Sequence, residues 1–494
     1  MTLAMNNQQA AAWDADSRPR VAIVGGGIAG LSAAWELQQT QDRFPAECVV
    51  LEAGDRWGGK IVTDRFHVQD GDRQVGPFVV DAGPESFVTR KRAVWDLACE
   101  LGLQDQVIDP GSETHNIYVL DGGKPVHLPM SPMAFIRSPL LSTGGKLRML
   151  QEPFVPPRMD DGDESLADFV TRRLGREALD KFLGPVLGGI YNTDPERQSI
   201  LTTAPVMREM EREGGSLVRA SIGRMRAKAE ARKLAEARGE ITPPSFMTFR
   251  EGAHVLVDAL VDQLDWDLRL NSGVTAVEAL DNGAGGYRLT LADGESLLAD
   301  VILFATPANV TARLLRDVAP ASAAELARIP HVDIGTITLV FREADLNLPR
   351  PVSGLMIPRR EQRLIDAMTF TSLKFPDRAP AGYALMRVFF GGSAPYTIAL
   401  DDDQLRDLVM YELGNLLGIR TRPLGFDVRR WPNSYPQADV GHLDRVAAIE
   451  RSLPPGIAVT GGSYRGLGVP DCVQQGRDSA AALRRSGIPA RRSS

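Results

Sequence analysis

The feature that most constrains the fold is a glycine-rich turn between a short apolar run and a helix-like segment near the start of the chain. VAIV at residues 21–24 is followed by GGGIAG and then by LSAAWELQQT, whose apolar residues recur at helical spacing. In this GxGxxG pattern Gly25 allows a tight turn, Gly27 lets the backbone approach a pyrophosphate, and Gly30 allows close helix packing. Glu52 ends a second predicted strand about twenty residues later, where a carboxylate can bind a ribose diol. The pattern predicts a Rossmann-type dinucleotide-binding domain.

The length of the chain predicts more than this one domain. A single hydrophobic core rarely exceeds about 250–300 residues, and the chain has 494. Alternating runs after residue 268 predict a β-meander that returns to the parallel sheet, and strand-like runs at 335–342 and 384–391 predict a separate mixed sheet. The final segment again predicts strand, glycine-rich turn and helix. The predicted fold class is α/β, a Rossmann-type domain interwoven with a mixed α+β domain and a helical excursion.

The order of these predicted strands and helices also predicts the domain boundaries. The nucleotide-binding domain is expected to comprise 18–92, 246–310 and 426–486, and the second domain 93–245 and 311–425. Residues 1–17 and 487–494 are expected to be flexible tails.

Two charged segments predict helices. Residues 165–187 have helical spacing, with Arg172, Arg173 and Arg176 expected on the polar side. Residues 207–238 are dense in Arg, Lys and Glu and predict an exposed helical excursion. Such a segment is either a solvated helix or a contact for a membrane or a partner.

Composition excludes several classes of protein. A net charge of -7 and a pI near 5.6 lack the basic footprint of a general nucleic-acid binder. Cys48, Cys99 and Cys472 form no Cys-x-x-Cys pair and the six histidines lack metal-ligand spacing, so no metal site is expected, and a reducing cytoplasm is the simplest compartment. The longest apolar stretch is shorter than the ~20 residues that cross a bilayer. No transmembrane segment is expected, while peripheral membrane contact stays open.

The residues after Glu52 distinguish between the cofactors that share the GxGxxG pattern. The segment EAGDRWGGKIVT at residues 52–63 resembles the continuation found in FAD-containing, amine-oxidase-like flavoproteins. There, an arginine and a glycine pair lie against the FAD diphosphate, and Arg56, Gly58, Gly59 and Lys60 match that pattern. The resemblance implies FAD as the cofactor.

Three further segments narrow the resemblance. VDAGPESFVTRK at 80–91 is similar to the stretch near the flavin ring in bacterial coproporphyrinogen and protoporphyrinogen oxidases. GGIYNTDPE at 188–196 resembles the turn beside their substrate cavity, and SYRGLGVPDC at 463–472 resembles their C-terminal flavin-contacting motif. The matches keep the same order from about residue 20 to 485. The chain is identified as a member of the porphyrinogen oxidase family, most similar to its bacterial coproporphyrinogen III oxidase type.

The resemblance implies site residues position by position. Lys91 matches a basic residue that faces substrate carboxylates, and Gly189 matches a carbonyl that accepts a substrate proton. The turn after Gly189 departs from the family pattern, because it reads Tyr-Asn-Thr-Asp where many relatives have Tyr-Ala-Gly-Asp. The implied FAD contacts are Gly25, Gly26, Gly27, Ile28, Ala29, Gly30, Glu52, Ala53, Arg56, Gly59, Lys60, Gly83, Pro84, Glu85, Ser86, Val274, Trp431, Gly468, Val469 and Pro470.

The chemistry implied is a six-electron oxidation. A meso-bridge carbon of the porphyrinogen gives hydride to flavin N5 while a pyrrole N–H loses its proton, and dioxygen then reoxidises the flavin and leaves as hydrogen peroxide. Three such cycles convert coproporphyrinogen III to coproporphyrin III in haem biosynthesis. The implied partners are the tetrapyrrole and dioxygen, with transient contact with a downstream chelatase left open.

Several alternatives stay open at this point. Protoporphyrinogen IX is the second candidate substrate, since it differs by vinyl groups at two positions where coproporphyrinogen III has propionates. Another flavoenzyme of the superfamily, an amine oxidase or carotenoid desaturase, is the next candidate. A flavin-free escort protein is the third. Sequence does not give the oligomeric state or the electron acceptor in the cell.

Overall fold

The computed structural model describes residues 18–110, 116–129, 131–238, 244–280, 285–346 and 352–485. The tails expected at 1–17 and 487–494 lie outside these residues. The chain divides into two compact units at breaks that follow Lys60, Val255, Arg328 and Arg445. The first, third and fifth segments form one unit, here called the parallel-sheet unit. The second and fourth form the other, here called the mixed-sheet unit.

Twenty strands form in the described part of the chain. They are β1 (Arg20–Val24), β2 (Glu47–Leu51), β3 (Thr63–Asp70), β4 (Arg73–Asp81), β5 (Phe87–Val88), β6 (Val107–Ile108), β7 (Ile117–Asp121), β8 (Lys124–His127), β9 (Phe246–Phe249), β10 (Asp267–Arg269), β11 (Val274–Ala279), β12 (Tyr287–Leu291), β13 (Ser296–Ala299), β14 (Val301–Phe304), β15 (His331–Arg342), β16 (Gly354–Met356), β17 (Ala367–Phe370), β18 (Tyr383–Phe390), β19 (Gly425–Pro436) and β20 (Ile457–Val459).

Seventeen α-helices accompany them within the same described residues. They are α1 (Ile28–Gln38), α2 (Ala93–Glu100), α3 (Pro132–Arg137), α4 (Thr143–Leu150), α5 (Leu166–Leu174), α6 (Arg176–Ala178), α7 (Gly184–Tyr191), α8 (Ile200–Thr203), α9 (Pro205–Gly214), α10 (Leu217–Ala237), α11 (Val255–Gln263), α12 (Ala308–Leu314), α13 (Pro320–Ala327), α14 (Thr371–Lys374), α15 (Asp402–Leu417), α16 (His442–Ser452) and α17 (Val469–Arg485).

The parallel-sheet unit is built on a five-stranded parallel sheet in the order β10-β2-β1-β14-β20. Its central strands are apolar on both faces, as strands covered on both sides must be. The meander β11-β12-β13 is antiparallel and leads directly into β14. This arrangement confirms the predicted Rossmann-type sheet, the meander and the returning C-terminal strand.

Two helices from opposite ends of the chain complete this unit. Helix α17 packs against α1, and a Cβ added at Gly476 would lie 2.2 Å from the carbonyl oxygen of Ala29. Only glycine therefore permits this close helix contact. The contact fixes the C-terminal helix beside the helix that follows the glycine-rich turn.

The mixed-sheet unit contains a seven-stranded sheet in the order β19-β15-β18-β17-β16-β7-β8. The long strands β15, β18 and β19 pair antiparallel, whereas β16 pairs parallel with β7. Apolar residues of this sheet and of α15 form one buried core, including Leu339, Met386 and Leu413. The predicted mixed sheet is confirmed.

The boundaries between the units differ from the expected ones. Residues 61–92 belong to the mixed-sheet unit, because the β3–β4 hairpin buries Phe78 in a core with Val340 and Leu385. Residues 426–445 belong there as well, because β19 pairs with β15. Residues 246–255 also belong to the mixed-sheet unit, where β9 pairs with β5 and β6. Residues 311–328 stay in the parallel-sheet unit. Each segment follows the sheet or core that its side chains enter.

One arginine prediction is wrong. Arg173 does not lie on a polar face, because it is completely buried and forms ion pairs with Glu152 and Glu211, which are also completely buried. Arg172 is half-buried and Arg176 reaches the surface. A buried carboxylate needs a cation beside it, and α5 supplies that cation from its inward side.

Parts of the charged 207–238 segment are buried. Arg208 in α9 is 3% exposed and pairs with the buried Glu211, which corrects the expectation of an exposed segment throughout. Helix α10 begins where Glu152 accepts the backbone N–H groups of Leu217 and Val218. Beyond its first turns, its described side chains are largely exposed.

Among the residues that the structure describes, every helix is too short or too polar to cross a bilayer.

Candidate functional site

The three glycines of the GxGxxG turn differ in whether backbone conformation or packing requires a glycine. Gly25 has a φ of +112°, which side-chain-bearing residues rarely adopt. A Cβ at Gly30 would lie 2.1 Å from the carbonyl oxygen of Gly25, so the turn closes only around glycine. Gly27 differs, because its φ is -74° and a Cβ there would meet no protein atom within 4 Å. Neither conformation nor packing requires glycine at 27, so the open space beside it is available to a ligand.

The second glycine turn lies against the first. The N–H of Gly58 donates to the carbonyl of Gly26 at 2.9 Å, and Gly27 and Gly58 form a parallel bridge. The ring of Trp57 fills the space at Gly26, where a Cβ would lie 2.4 Å from it. Gly59 has a φ of +58° and turns the chain toward Lys60. Two glycine turns therefore present one continuous stretch of backbone.

Glu52 lies at the carboxyl end of β2, beside these turns. One of its oxygens accepts the N–H of Gly26 and the other accepts the N–H of Gly54, each at 2.8 Å. A carboxylate oxygen has more than one lone pair, so both can accept a further hydrogen bond. Ala53 faces Gly273, next to Val274 at the start of β11. Arg56 is exposed, and its guanidinium donates to the carbonyl of Trp57 at 3.4 Å.

The C-terminal motif reaches the same region of this unit. Helix α17 begins at Val469, so Gly468, Val469 and Pro470 lie at its N-terminal end. Burial lowers the pKa of Lys60, while the negative charge of a nearby Cys472 thiolate would act in the opposite direction. Since Cys472 is in the first turn of α17, Lys60 lies within electrostatic range of the N-terminal end of this helix. Backbone amides of helix N-termini and a lysine suit a diphosphate and its anionic charge.

In the mixed-sheet unit, the loop 83–86 is fixed by charged side chains. Arg387 of β18 donates to the carbonyl of Gly83 at 2.8 Å and also to that of Asp81. Glu85 is 5% exposed and accepts hydrogen bonds from Thr371 at 2.8 Å and Lys374 at 3.1 Å.

Glu85 is ionised despite its burial. Burial alone would raise its pKa, but the charges of Lys374 and Arg387 and the two hydrogen bonds outweigh burial and hold the pKa at about 2. Lys374 also donates to the hydroxyl of Ser86 at 2.9 Å. The ion pair between Glu85 and Lys374 therefore holds the loop in place.

Gly189 and Trp431 are brought to one end of the seven-stranded sheet. Trp431 in β19 is opposite Ile334 of β15. The neighbouring Asp333 carbonyl accepts a 3.5 Å hydrogen bond from the side chain of Asn192, directly after α7. Gly189 is exposed in the last turn of α7. The N–H groups of Asn192 and Thr193, which follow the helix, both donate to the carbonyl of Gly188.

Lys91 follows β5 and precedes α2, where it is half-buried. Its role toward a substrate carboxylate stays a prediction, as do the individual cofactor contacts.

Sequence reasoning missed the side chains that hold the loop 83–86. Arg387 is a lone charge in an otherwise apolar strand, ALMRVFFG, and that isolation was the available signal. Lys374 had no comparable signal, because its partner Glu85 is distant in sequence. Asn192, with a φ of +43° and 7% exposure, marks the end of α7.

Comparisons with known proteins agree with this geometry. The profile of the family described as flavin containing amine oxidoreductase matches residues 28–484. A Propionibacterium freudenreichii protein described as a coproporphyrinogen III oxidase is 33% identical over 94% of this chain and 90% of its own length. A Bacillus subtilis protein with the same description is 30% identical, over 94% and 97%. A crystal structure from Exiguobacterium, provisionally described as a protoporphyrinogen oxidase, is 27% identical, with a TM-score of 0.80 over 95% of this chain and 100% of that one.

The parallel sheet, its glycine turns and the interleaved mixed sheet define a flavoprotein of the amine-oxidase type. The chain belongs to the flavin-containing amine oxidoreductase family and, within it, to the porphyrinogen oxidases.

Proposed function

We propose that this chain is an FAD-dependent, oxygen-using oxidase that converts coproporphyrinogen III to coproporphyrin III. The observation that carries the proposal is the nearly full-length similarity to two bacterial proteins described as coproporphyrinogen III oxidases. The reaction balances when six hydrogens leave the porphyrinogen and three dioxygen molecules become three molecules of hydrogen peroxide.

FAD fits the residues of the parallel-sheet unit. The space at Gly27 admits a diphosphate, and the flanking turns offer backbone N–H groups at the start of α1. Glu52 retains acceptor capacity for a ribose diol. Lys60 and the start of α17 supply positive charge nearby. The predicted contacts in the mixed-sheet unit, 83–86 and Trp431, stay predictions.

When bound, FAD supplies the acceptor for hydride and the site at which dioxygen is reduced. The residues of the chain bind and orient the substrate. The carbonyl oxygen of Gly189 lies at the C-terminal end of α7, where carbonyls lack intrahelical partners and the helix dipole is negative. Such an oxygen can accept a hydrogen bond from a pyrrole N–H and favour loss of that proton.

Lys91 is proposed to bind a propionate of the tetrapyrrole. Burial of an unpaired carboxylate would cost several kcal/mol, so a substrate with propionates needs nearby cations. Lys91→Glu should therefore weaken substrate affinity while FAD stays bound. An unchanged KM in this variant would remove Lys91 from the substrate contacts.

Protoporphyrinogen IX is the second candidate substrate. Protoporphyrinogen IX is supported by similarity to the Exiguobacterium structure, which is provisionally described as a protoporphyrinogen oxidase. The two substrates share the macrocycle and differ by propionate or vinyl at two positions. The number of cations available to the substrate therefore decides between them.

The proposal is tested by incubating the purified holoenzyme in air with each porphyrinogen and a panel of amines. We expect porphyrin fluorescence to appear with coproporphyrinogen III, with three molecules of hydrogen peroxide per porphyrin. Turnover of amines alone would replace the proposal with an amine oxidase. A protein that stays colourless after FAD is added would support the flavin-free escort protein instead.

We further propose that α10 contacts an anionic membrane surface without crossing it. Val218, Ile222 and Met225 are spaced along one helical face and are 42%, 42% and 63% exposed. The helix has six basic and two acidic residues in a chain whose net charge is -7. Cations lie on both sides of this apolar stripe at helical spacing, among them Arg226 and Lys228. An apolar face between cations is typical of interfacial helices, and anionic lipids attract such cations.

A further inference from the structure

The turn after β16 carries three arginines in different environments. Arg360 forms a 2.9 Å ion pair with Asp121, and Arg363 lies 3.7 Å from Glu412. Arg359 is exposed and has no carboxylate partner within 4 Å among the residues that the structure describes. Within the described part of the chain its charge is therefore uncompensated, whereas the charges of Arg360 and Arg363 are paired.

The backbone around Arg359 is held in place. Residues Arg359–Glu361 form a 3₁₀ turn, and the carboxylate of Glu361 accepts the N–H groups of Gly122 and Gly123, each at 2.9 Å. The N–H of Ile357 donates to the carbonyl of Asp366 at 3.1 Å. Arg359 thus extends from a fixed turn.

The guanidinium of Arg359 lies at the C-terminal end of α7. Its Nη2 is 3.5 Å from the carbonyl oxygen of Asn192, the residue that ends α7. The side chain of Asn192 packs closely against Gly392, because a Cβ at residue 392 would lie 2.0 Å from its side-chain oxygen. Free carbonyls and the helix dipole attract a cation to this position without neutralising it.

This position adjoins predicted site residues. Gly189 lies in the last turn of α7. The side chain of Asn192 donates to the carbonyl of Asp333, and the next residue, Ile334, is paired with Trp431 in the sheet. A guanidinium held at this position, with no carboxylate partner among the described residues, is suited to a carboxylate, which it can bind through two parallel hydrogen bonds.

We propose that Arg359 is a specificity-determining residue that binds a carboxylate of the substrate. This role rests on the proposed function, and in it Arg359 binds one of the propionates that coproporphyrinogen III has and protoporphyrinogen IX lacks. A vinyl group at the same position gains nothing from the guanidinium. Arg359 therefore favours the substrate with more carboxylates.

The test compares both porphyrinogens with the holoenzyme and three variants. Arg359→Gln should lower kcat/KM for coproporphyrinogen III about ten- to a hundredfold, mainly through KM, because a charge-assisted hydrogen bond is lost. For protoporphyrinogen IX the change should be less than about threefold. Arg359→Lys should recover only part of the loss, since a point charge lacks the planar fork.

Arg360→Gln is the matched control, because it removes an adjacent arginine whose charge is already paired with Asp121. It should leave the ratio of the two kcat/KM values unchanged. An unchanged ratio in Arg359→Gln, or an equal shift in both arginine variants, would overturn the inference and leave the proposed function standing. Failure of the wild-type protein to oxidise either porphyrinogen would instead overturn the proposed function, and this inference with it.

Discussion

Replacing Lys374 with methionine tests whether the loop 83–86 depends on its internal ion pair. Methionine keeps most of the apolar volume of lysine but removes the charge beside Glu85, whose side chain is 4% exposed. Leaving one member of a buried pair without its partner costs about 3–5 kcal/mol. Arg387 and Thr371 remain near Glu85, so we expect the lower part of that range, about 3–4 kcal/mol of unfolding free energy at pH 7.

The pH dependence of this loss has a defined sign. In the wild type the pKa of Glu85 is about 2, below its ordinary value of 4.5, so its stabilisation is complete above pH 4.5 and is lost as the pH falls toward 2. Without Lys374, burial should raise the pKa of Glu85 above its ordinary value. The folded variant then takes up a proton more readily than the unfolded chain. The difference in stability between wild type and variant should therefore shrink as the pH falls from 7 to 4.5.

The assay is urea unfolding followed by circular dichroism at several pH values, with FAD retention measured in parallel. The double variant Glu85→Gln, Lys374→Met removes both charges and should recover most of the loss. Lys181→Met is the matched control, because the lysine pairs with Asp121 nearer the surface and should cost under about 1 kcal/mol. A loss below about 1 kcal/mol for Lys374→Met, with no recovery in the double variant, would refute the reasoning.

Two further predictions concern the glycine turn and α10. The Gly27→Ala apoprotein should have an unchanged melting temperature but bind FAD at least about tenfold more weakly, because the added methyl group enters ligand space. The Gly30→Ala apoprotein should instead be destabilised, because its methyl group clashes with a backbone carbonyl. Equal effects of the two variants on FAD binding and on apoprotein stability would contradict this. The double variant Ile222→Glu, Met225→Glu should reduce sedimentation of the protein with anionic vesicles. The control Leu234→Glu, about half a turn away from the apolar stripe, should not reduce it. Equal sedimentation of the wild type and both variants would remove α10 as a membrane contact.

The amino-acid sequence by itself determined the elements whose signals are local. A strand, a glycine turn and a helix are encoded in consecutive residues, so β1, the turn at 25–30 and α1 were predicted correctly. The second strand was predicted with the bounds Glu47–Leu51, and the meander and the C-terminal strand and helix were also predicted. Gly27 was singled out for ligand approach because its spacing in the motif has a known physical reason.

Only the tertiary structure decided which segments share a core and which charges are buried. Arg173 has a polar side chain at helical spacing with Arg172 and Arg176, and nothing local shows that Glu152 and Glu211 meet it in the interior. The hairpin at 63–81 joins the mixed-sheet unit because Phe78 packs with Val340 and Leu385, far along the chain. The ion pair between Glu85 and Lys374 likewise joins residues nearly three hundred positions apart. The periodicity of the sequence indicates which face of a helix or strand is apolar. Packing and charge pairing over the whole chain decide which other element lies against that face.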